Sequence, residues 1–183
     1  DATVEEFRTS KTHFLSSAGV PDMQRVERRV QRLVRVPLNH AEDAQVLRYD
    51  EGDRYLAHHD FFDPKDYAGN AHFSGMVEGG ARNRLATVFF YLNTPEAGGE
   101  TNFPRAGGLP QPRTFDDCSL GISVKAEANK VIIFYSLLPN GDMDFYSLHA
   151  ACPVKAGEKH AANFWVWNKP FWEKTPWRGE HHN

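Results

Sequence analysis

The stretch RLATVFFYLN, residues 84–93, decides the fold class that the sequence predicts. Its nearly continuous run of apolar, β-branched and aromatic residues predicts a buried strand. The turn sequence TPEAGG closes this strand. Outward from it, glycine, proline, asparagine and aspartate separate further strand candidates, which are QVLRYD, ISVKA, KVIIFYSL, FYSLHAACPV and HAANFWVWN.

A helical layer precedes these strands. The segment PDMQRVERRVQRLVRV, residues 21–36, predicts an amphipathic helix that buttresses a sheet. An earlier helix is predicted around residues 4–15. Helices followed by many strands predict an α+β domain with a β-sandwich or an open barrel. The apolar stripe of the 21–36 helix consists of Met23, Val26, Val30, Leu33 and Val34.

The composition limits the function classes. A chain of 183 residues with 40% hydrophobic content suits one globular domain spanning residues 1–183. The net charge of −3 comes from interspersed charges, so no basic face indicates a nucleic-acid partner. No apolar run approaches the length of a membrane span. The sequence begins at Asp1 without an initiator methionine or a signal peptide, which is typical of a processed or trimmed chain.

Two segments rich in glycine or proline are predicted to be long loops, residues 63–83 and residues 105–118. Long loops in a compact domain are often lids or binding segments, and mobile surface is the alternative. The two cysteines, Cys118 and Cys152, are too few for a disulfide scaffold or a zinc site. They could form one bridge in an oxidising compartment.

The stretch RYLAHHDFF, residues 54–62, carries the candidate chemistry. Because side chains alternate along a strand, His58 and Asp60 share a face and His59 points to the other. Two imidazoles and one carboxylate can hold Fe(II) on one face of an octahedron, which leaves positions open for substrate and oxygen. A lone His-x-Asp is a weak signal, so the site requires a third histidine from a later strand.

Two histidines compete for this third position. His149 lies in an apolar, strand-like setting, where it is either a ligand or a core histidine bonded to a backbone carbonyl. His160 is its main rival. Its neighbour Lys159 would pair with an anionic cosubstrate if it is buried, and otherwise is a solvated lysine beside a turn. The other histidines belong to the helical layer or its edge, the first loop and the terminal tail; they are His13, His40, His72, His181 and His182.

Three stretches together resemble the catalytic domain of prolyl 4-hydroxylases. They are YDEGDRYLAHHDFF (49–62), NRLATVFFYLNTPEAGGETNFP (83–104) and SLHAACPVKAGEKHAANFW (147–165), and the resemblance extends from Arg8 to Trp165. It implies an α+β fold with a double-stranded β-helix core, of jelly-roll or cupin type, and N-terminal supporting helices.

The resemblance also implies an activity. His58, Asp60 and His149 would bind Fe(II) in a 2-oxoglutarate-dependent dioxygenase. The reaction would consume O2, convert 2-oxoglutarate to succinate and CO2, and hydroxylate peptidyl proline at C4 in proline-rich or collagen-like sequences. Ascorbate would rescue oxidised iron.

Further residue roles follow from the same resemblance. Lys159 would bind the distal carboxylate of 2-oxoglutarate with help from the hydroxyl of Tyr91, and Thr101 would line that pocket. Cys118 and Cys152 occupy family-like positions, which implies a disulfide and an origin in the secretory pathway, in the lumen of the endoplasmic reticulum or Golgi.

Peptide contacts are implied for Tyr55, Arg84 and Trp165, whose alternative roles are core aromatics and a surface-strand arginine. Residues 63–83 would then be the lid over the peptide. The chain departs from the family pattern at His160, where tryptophan is frequent, at Trp167, where a small or polar residue is frequent, and at "ACP" in place of "GGCP". None of these departures removes a ligand.

Two alternative functions remain open at this point. The first keeps iron and 2-oxoglutarate but acts on another protein or on a small molecule. The second is a retired enzyme that serves as a structural subunit of a larger assembly; the intact ligand set and Lys159 argue against it.

Overall fold

The computed structural model describes residues 7–172. Their strands form three antiparallel sheets: a five-stranded sheet in the order β1-β2-β11-β4-β8, a four-stranded sheet in the order β3-β9-β6-β7, and the pair β10-β5. The strands are β1 Lys11–Leu15, β2 Ala44–Tyr49, β3 Tyr55–His58, β4 Arg84–Tyr91, β5 Ala97–Gly98, β6 Thr101–Phe103, β7 Ile122–Val124, β8 Val131–Tyr135, β9 His149–Ala151, β10 Val154–Ala156 and β11 Lys159–Trp167.

The stretch 84–93 forms β4, and the prediction of a buried strand is confirmed. β4 pairs with β11 on one side and with β8 on the other. Its side chains alternate between two apolar clusters. Phe89 and Tyr91 face the cluster that also contains Leu47 and Tyr49, whereas Val88 faces the helix. The mixed architecture predicted from the sequence is therefore present, and β4 is an interior strand of the five-stranded sheet.

Helix α1, Pro21–Val34, confirms the predicted helix and ends two residues earlier than predicted. Arg35 adopts a left-handed conformation, with φ of 57°, and its N–H bonds to the carbonyl of Gln31. Val30 is buried against β4 and β11. Leu33, however, is 58% exposed, so its place on the buried stripe was predicted wrongly.

The earlier helix predicted around residues 4–15 is wrong from Arg8 onward, since within the described residues only Phe7 of this stretch is helical. Lys11–Leu15 forms β1, which pairs antiparallel with β2. Pairing with β2 fixes the extended conformation here, and all five residues of β1 are exposed. His13 accordingly lies on a strand and not in the helical layer. Residues 1–6 lie outside the described part.

The segment 63–83 is not a structureless loop as predicted. It contains helix α2, Ala71–Val77, and a 3-10 turn at Glu78–Gly80. The side chain of Asn70 caps α2 by accepting hydrogen bonds from the N–H groups of His72 and Phe73. The predicted strand FYSLHAACPV is likewise divided, into a 3-10 turn at Phe145–Ser147 followed by β9 and β10.

The segment 105–118 contains no helix or strand, as predicted, and a disulfide fastens its end. Cys118 and Cys152 are bonded with an S–S distance of 2.01 Å and lie 6.1 Å apart at Cα. The bridge ties this segment to the residue that follows β9. Within residues 7–172, no helix combines the length and apolarity that crossing a bilayer requires.

Candidate metal centre

Three ligand-type side chains meet where β3 and β9 run side by side. His58 ends β3, His149 begins β9, and the two residues are direct partners in the register. Asp60 follows two residues after His58. The Nε2 of His58 lies 3.9 Å from one carboxylate oxygen of Asp60, and the Nε2 of His149 lies 3.7 Å from the other. The three ligand atoms fall within 4.8 Å of one another, a spacing that fits a single metal ion.

The protein orients each member of this cluster. The Nδ1 of His58 lies 2.7 Å from the Leu56 carbonyl, and the Nδ1 of His149 lies 3.0 Å from the Ser147 carbonyl. A carbonyl accepts only, so Nδ1 carries the proton and Nε2 keeps a free lone pair. Both Nε2 atoms therefore face Asp60 as ligands would. Tyr55 stacks on the His58 ring at 3.6 Å between centroids and restricts its rotation.

Electrostatics favour the protonation state that a metal requires. Burial, and then the neighbouring His149, lower the pKa of His58, which keeps the imidazole neutral. Burial alone would raise the pKa of Asp60, but His149, His58 and Arg84 together lower it below its ordinary value. The hydroxyl of Thr87 also donates a hydrogen bond of 2.5 Å to this carboxylate. A neutral His58 imidazole and an ionised Asp60 carboxylate are thus available to a metal without loss of a proton.

Lys159 is a buried cation without an acceptor. Its side chain is fully buried, and its Nζ forms no hydrogen bond with any described residue. The Nζ lies 5.0 Å from the ring centroid of Tyr49 and 5.5 Å from those of Phe89 and Tyr91. Burial lowers its pKa to about 7, against a smaller opposing effect of Glu100. An unpaired buried ammonium is costly, so this position fits an anionic ligand.

A cavity of about 290 Å³ extends from the cluster to Tyr49 and Phe89, two of the rings that surround the Lys159 ammonium. His58, Asp60 and His149 line it together with Tyr49 and Thr101. We refer to the surroundings of Lys159 as the Lys159 pocket, which comprises Tyr49, Phe89, Tyr91 and Thr101. The hydroxyl of Tyr91 donates to the Thr101 hydroxyl over 2.7 Å at the edge of this pocket.

The histidines outside the cluster are held elsewhere. His160, the rival ligand, is on the face of β11 opposite to Lys159, and its Nε2 lies 3.8 Å from Glu158. His40 lies 2.9 Å from the carbonyl of Trp167. His13 and His72 do not join a ligand cluster within residues 7–172. His181 and His182 lie outside the described residues.

The residues implied in peptide contacts line the same cavity. The guanidinium of Arg84 lies 3.6 Å above the ring of Trp165, and Tyr55 lies beside His58. Glu42 accepts hydrogen bonds from Nε and Nη2 of Arg84 at 2.6 and 2.9 Å. Arg84 is therefore a paired, half-buried side chain and not a surface-strand arginine.

Sequence reasoning missed several residues around the cluster. Glu42, Thr87 and Ser147 each hold a candidate site residue in place. Glu42 carries no signal because it lies between elements, outside any periodic segment. Thr87 alternates correctly along β4, and that alternation could have placed it on the cavity side.

A two-histidine, one-carboxylate cluster in a cavity between antiparallel sheets is typical of non-haem iron oxygenases. The sequence model of the 2OG-Fe(II) oxygenase superfamily matches residues 44–167, and the chain belongs to this family.

Named relatives agree with this assignment. The chain is 36% identical over 165 residues to a probable prolyl 4-hydroxylase 9 of Arabidopsis thaliana, with 87% of this chain and 53% of the relative covered. It is 34% identical over 164 residues to the prolyl 4-hydroxylase subunit alpha-1 of Gallus gallus, with 90% and 28% covered. The chain spans about half the length of the plant relatives that it matches, 53% and 55% in two of them.

A solved structure has the same fold. The viral collagen prolyl hydroxylase of Paramecium bursaria Chlorella virus-1, in complex with 2OG, matches with a TM-score of 0.67 and 26% identity. The match covers 90% of this chain and 81% of that chain. Fe(II) and 2-oxoglutarate are the cofactors that the family implies, and the donor set and the unpaired Lys159 ammonium fit them.

Proposed function

We propose that the protein is an Fe(II)- and 2-oxoglutarate-dependent dioxygenase that hydroxylates peptidyl proline at C4 on a double-stranded β-helix. One observation carries this proposal. The same protein contains the cluster of His58, Asp60 and His149 and a buried Lys159 ammonium that has no hydrogen-bond partner among the described residues. The first fits a metal, and the second fits a carboxylate ligand beside it. The prolyl 4-hydroxylase names of the relatives support the choice of proline as the substrate residue.

In this proposal the cluster residues hold iron. Bound Fe(II) supplies the activation of O2 that couples decarboxylation of 2-oxoglutarate to hydroxylation. The carbonyls of Leu56 and Ser147 keep both imidazoles in the metal-binding tautomer. The residue pairing of His58 with His149 holds these imidazoles side by side.

Lys159 receives the distal carboxylate of 2-oxoglutarate. Its position among aromatic rings excludes water, and this strengthens the attraction between the ammonium and the carboxylate. The Thr101 hydroxyl accepts from Tyr91 and keeps its own proton as a further donor at the edge of the Lys159 pocket, and the Tyr91 hydroxyl would become a second donor by turning from Thr101 to the carboxylate. The ammonium is a compact point charge, so the hydroxyls supply directionality that it lacks.

A proline-rich peptide is the proposed substrate, with Tyr55, Arg84 and Trp165 as its contacts. A polyproline II peptide has a rigid apolar outline and carbonyl groups without internal partners. The ring of Trp165 provides an apolar wall, and Arg84 provides a donor fixed by Glu42. The segment 63–83, which contains α2, would close over the peptide.

The test is succinate formation from 2-oxoglutarate with Fe(II), in the presence and absence of a poly-proline or collagen-like peptide. We expect the peptide to stimulate turnover, and we expect His149→Ala to abolish it while His160→Ala leaves it unchanged. Turnover that survives His149→Ala would reject the ligand assignment. Strong turnover that no peptide stimulates would favour a different substrate, and failure to bind iron would favour a structural role in a larger assembly.

Three extensions belong to the same proposal. Ascorbate would restore oxidised iron, and its omission should shorten the linear phase of the assay. Residues 1–183 would act as one domain. Folding in an oxidising compartment of the secretory pathway is supported by the Cys118–Cys152 bond, and expression in a reducing cytosol should lower the yield of folded protein.

A further inference from the structure

His59 lies between two candidate ligands but points away from them. Its Nδ1 is 3.2 Å from the hydroxyl of Ser147, and its Nε2 is 3.1 Å from Nη1 of Arg105. Both ring nitrogens therefore have partners. The side chain is half-buried, and burial followed by the charge of Arg105 lowers its pKa to about 4.

The direction of each hydrogen bond follows from the chemistry of the partners. A guanidinium donates only, so Nε2 of His59 is the acceptor from Arg105. Nδ1 therefore carries the proton and donates to the Ser147 hydroxyl, which in turn donates to the Asp144 carbonyl over 2.7 Å. All donors in this series point the same way, from Arg105 through His59 and Ser147 to Asp144.

Ser147 connects this series to the candidate metal centre. Its hydroxyl receives His59, and its carbonyl receives the Nδ1 of His149. β3 ends at His58, so no strand pairing holds the next two residues, His59 and Asp60, against β9. The hydrogen bond between His59 and Ser147 therefore joins the segment that carries Asp60 to the segment that carries His149.

Arg105 fastens the same junction from the loop that it begins. Its guanidinium is stacked on Phe145 at 3.6 Å, and Nη1 also donates to the Phe145 carbonyl over 2.9 Å. Nη2 donates to the side chain of Gln111. Arg105 is only 7% exposed. It thus joins the end of β3, the turn that precedes His149 and the segment 105–118.

We propose that His59 is a positioning residue that sets the separation between Asp60 and His149 through Ser147, with Arg105 as its second anchor. The proposal rests on the proposed metal site. It assigns a role to the residue between the two ligands of the His-x-Asp pair. Partners outside the ligand set commonly change metal affinity by about 10–100-fold when they are removed, although they do not touch the metal.

The test measures Co(II) binding to the metal-free protein by calorimetry and by the visible absorption spectrum of the bound ion. His59→Phe keeps a planar ring but removes both hydrogen bonds. We expect it to weaken Co(II) binding by about tenfold and to alter the spectrum. The matched control is His160→Phe. It makes the same substitution at a histidine of β11 that lies outside the ligand cluster, and it should bind Co(II) like the wild type.

Two further variants separate positioning from general destabilisation. His59→Asn places an amide donor near the position of Nδ1, so it should retain most of the wild-type affinity through Ser147. Ser147→Ala removes the same bond from the opposite side and keeps the carbonyl that holds His149. In a double-mutant cycle, Ser147→Ala should add little to His59→Phe, because the two changes remove one shared interaction.

The outcomes separate this inference from the function on which it rests. Equal Co(II) affinity of His59→Phe, His160→Phe and the wild type would overturn the positioning role, as would fully additive effects of His59→Phe and Ser147→Ala. Asp60→Ala provides the reference for the metal site. If Asp60→Ala binds Co(II) like the wild type, the metal assignment itself fails. If His59→Phe does not fold, Ser147→Ala and His59→Asn decide the inference.

Discussion

At the candidate metal centre each ligand side chain is oriented by a hydrogen bond from the protein, whereas in the Lys159 pocket the ammonium has no such partner among the described residues. Carbonyls of Leu56 and Ser147 hold the two imidazoles, and Thr87 holds the carboxylate. Lys159 is surrounded by aromatic rings instead. The first region is therefore organised before its ion arrives, and the second is completed by its ligand.

This difference predicts that the two regions affect the stability of the ligand-free protein in opposite directions. In the cluster, hydrogen bonds to the protein compensate the burial of the carboxylate and the two imidazoles. Lys159 instead loses its hydration without gaining an acceptor, which destabilises the ligand-free protein. Substitutions in the two regions should therefore differ in their effects on stability as well as on binding.

The largest effect should come from removing the carboxylate. Asp60→Ala deletes the charged ligand of the cluster and leaves both imidazoles in place. We expect Co(II) and Fe(II) binding to fall below detection in calorimetry, together with loss of succinate formation. Normal metal binding by this variant would show that Asp60 is not a metal ligand.

The next effect should come from Lys159→Met, which keeps the length of the side chain and removes the charge. We expect the KM for 2-oxoglutarate to rise by at least about 100-fold, the loss of a buried charge pair. The free energy of unfolding of the ligand-free protein should increase by about 1–3 kcal/mol, because an unsatisfied buried donor is removed. Metal affinity should not change.

Chemical denaturation checks the stability part of this prediction, and steady-state kinetics check the binding part. A loss of stability in Lys159→Met would contradict the view that the ammonium is unpaired. An unchanged KM would remove Lys159 from cosubstrate binding.

A pH dependence should distinguish the regions further. Burial lowers the pKa of Lys159 to about 7, from an ordinary value of 10.5. Between these values the unfolded chain binds more protons than the folded one, so the free energy of unfolding should rise with pH by up to about 1.4 kcal/mol per unit. Below pH 7 both states are protonated and the contribution to the slope disappears.

The measurement is the urea midpoint of the ligand-free wild type against Lys159→Met from pH 7 to pH 9.5. The stability of Lys159→Met should not show the rise with pH that comes from the lysine. In the same range the affinity for 2-oxoglutarate should fall as pH rises, since binding requires the protonated amine. Parallel curves for the two proteins would refute the assignment to Lys159.

The smallest effect should come from Arg84, whose charge is already paired with Glu42. We expect Arg84→Met to raise the KM for a proline-rich peptide by about tenfold, the loss of roughly one charged hydrogen bond. Peptide-independent turnover of 2-oxoglutarate should remain. Arg48→Met, which alters an exposed ion pair, is the control, and an equal effect in both variants would exclude a specific peptide contact.

Local patterns predicted part of this architecture. Strand β4 and helix α1 were confirmed because their apolar periodicities reflect burial on two faces and on one face respectively. β1 and α2 were not found by the same reasoning. β1 is exposed throughout, so it lacks an alternating pattern, and its conformation depends on pairing with β2. α2 is a short helix whose start depends on the cap at Asn70.

For the candidate site, alternation selected His58 and Asp60 and assigned His59 to the other face. It could not choose between His149 and His160, since both lie next to strand-like apolar residues; only the family resemblance favoured His149. The structure brings His149 next to His58 through pairing of β3 with β9. It also places His160 on the opposite side of β11 from Lys159.

The sequence by itself determined which side chains are available and how neighbours along a strand divide between two faces, because alternation is a property of the local backbone. The family membership could also be inferred from its motifs. Only the tertiary structure decided that Lys159 is buried without a partner, that Glu42 pairs with Arg84, and that His59 contacts Ser147 and Arg105. These contacts join residues that lie 42 to 88 positions apart or depend on burial by distant elements, and local patterns carry no information about such pairings.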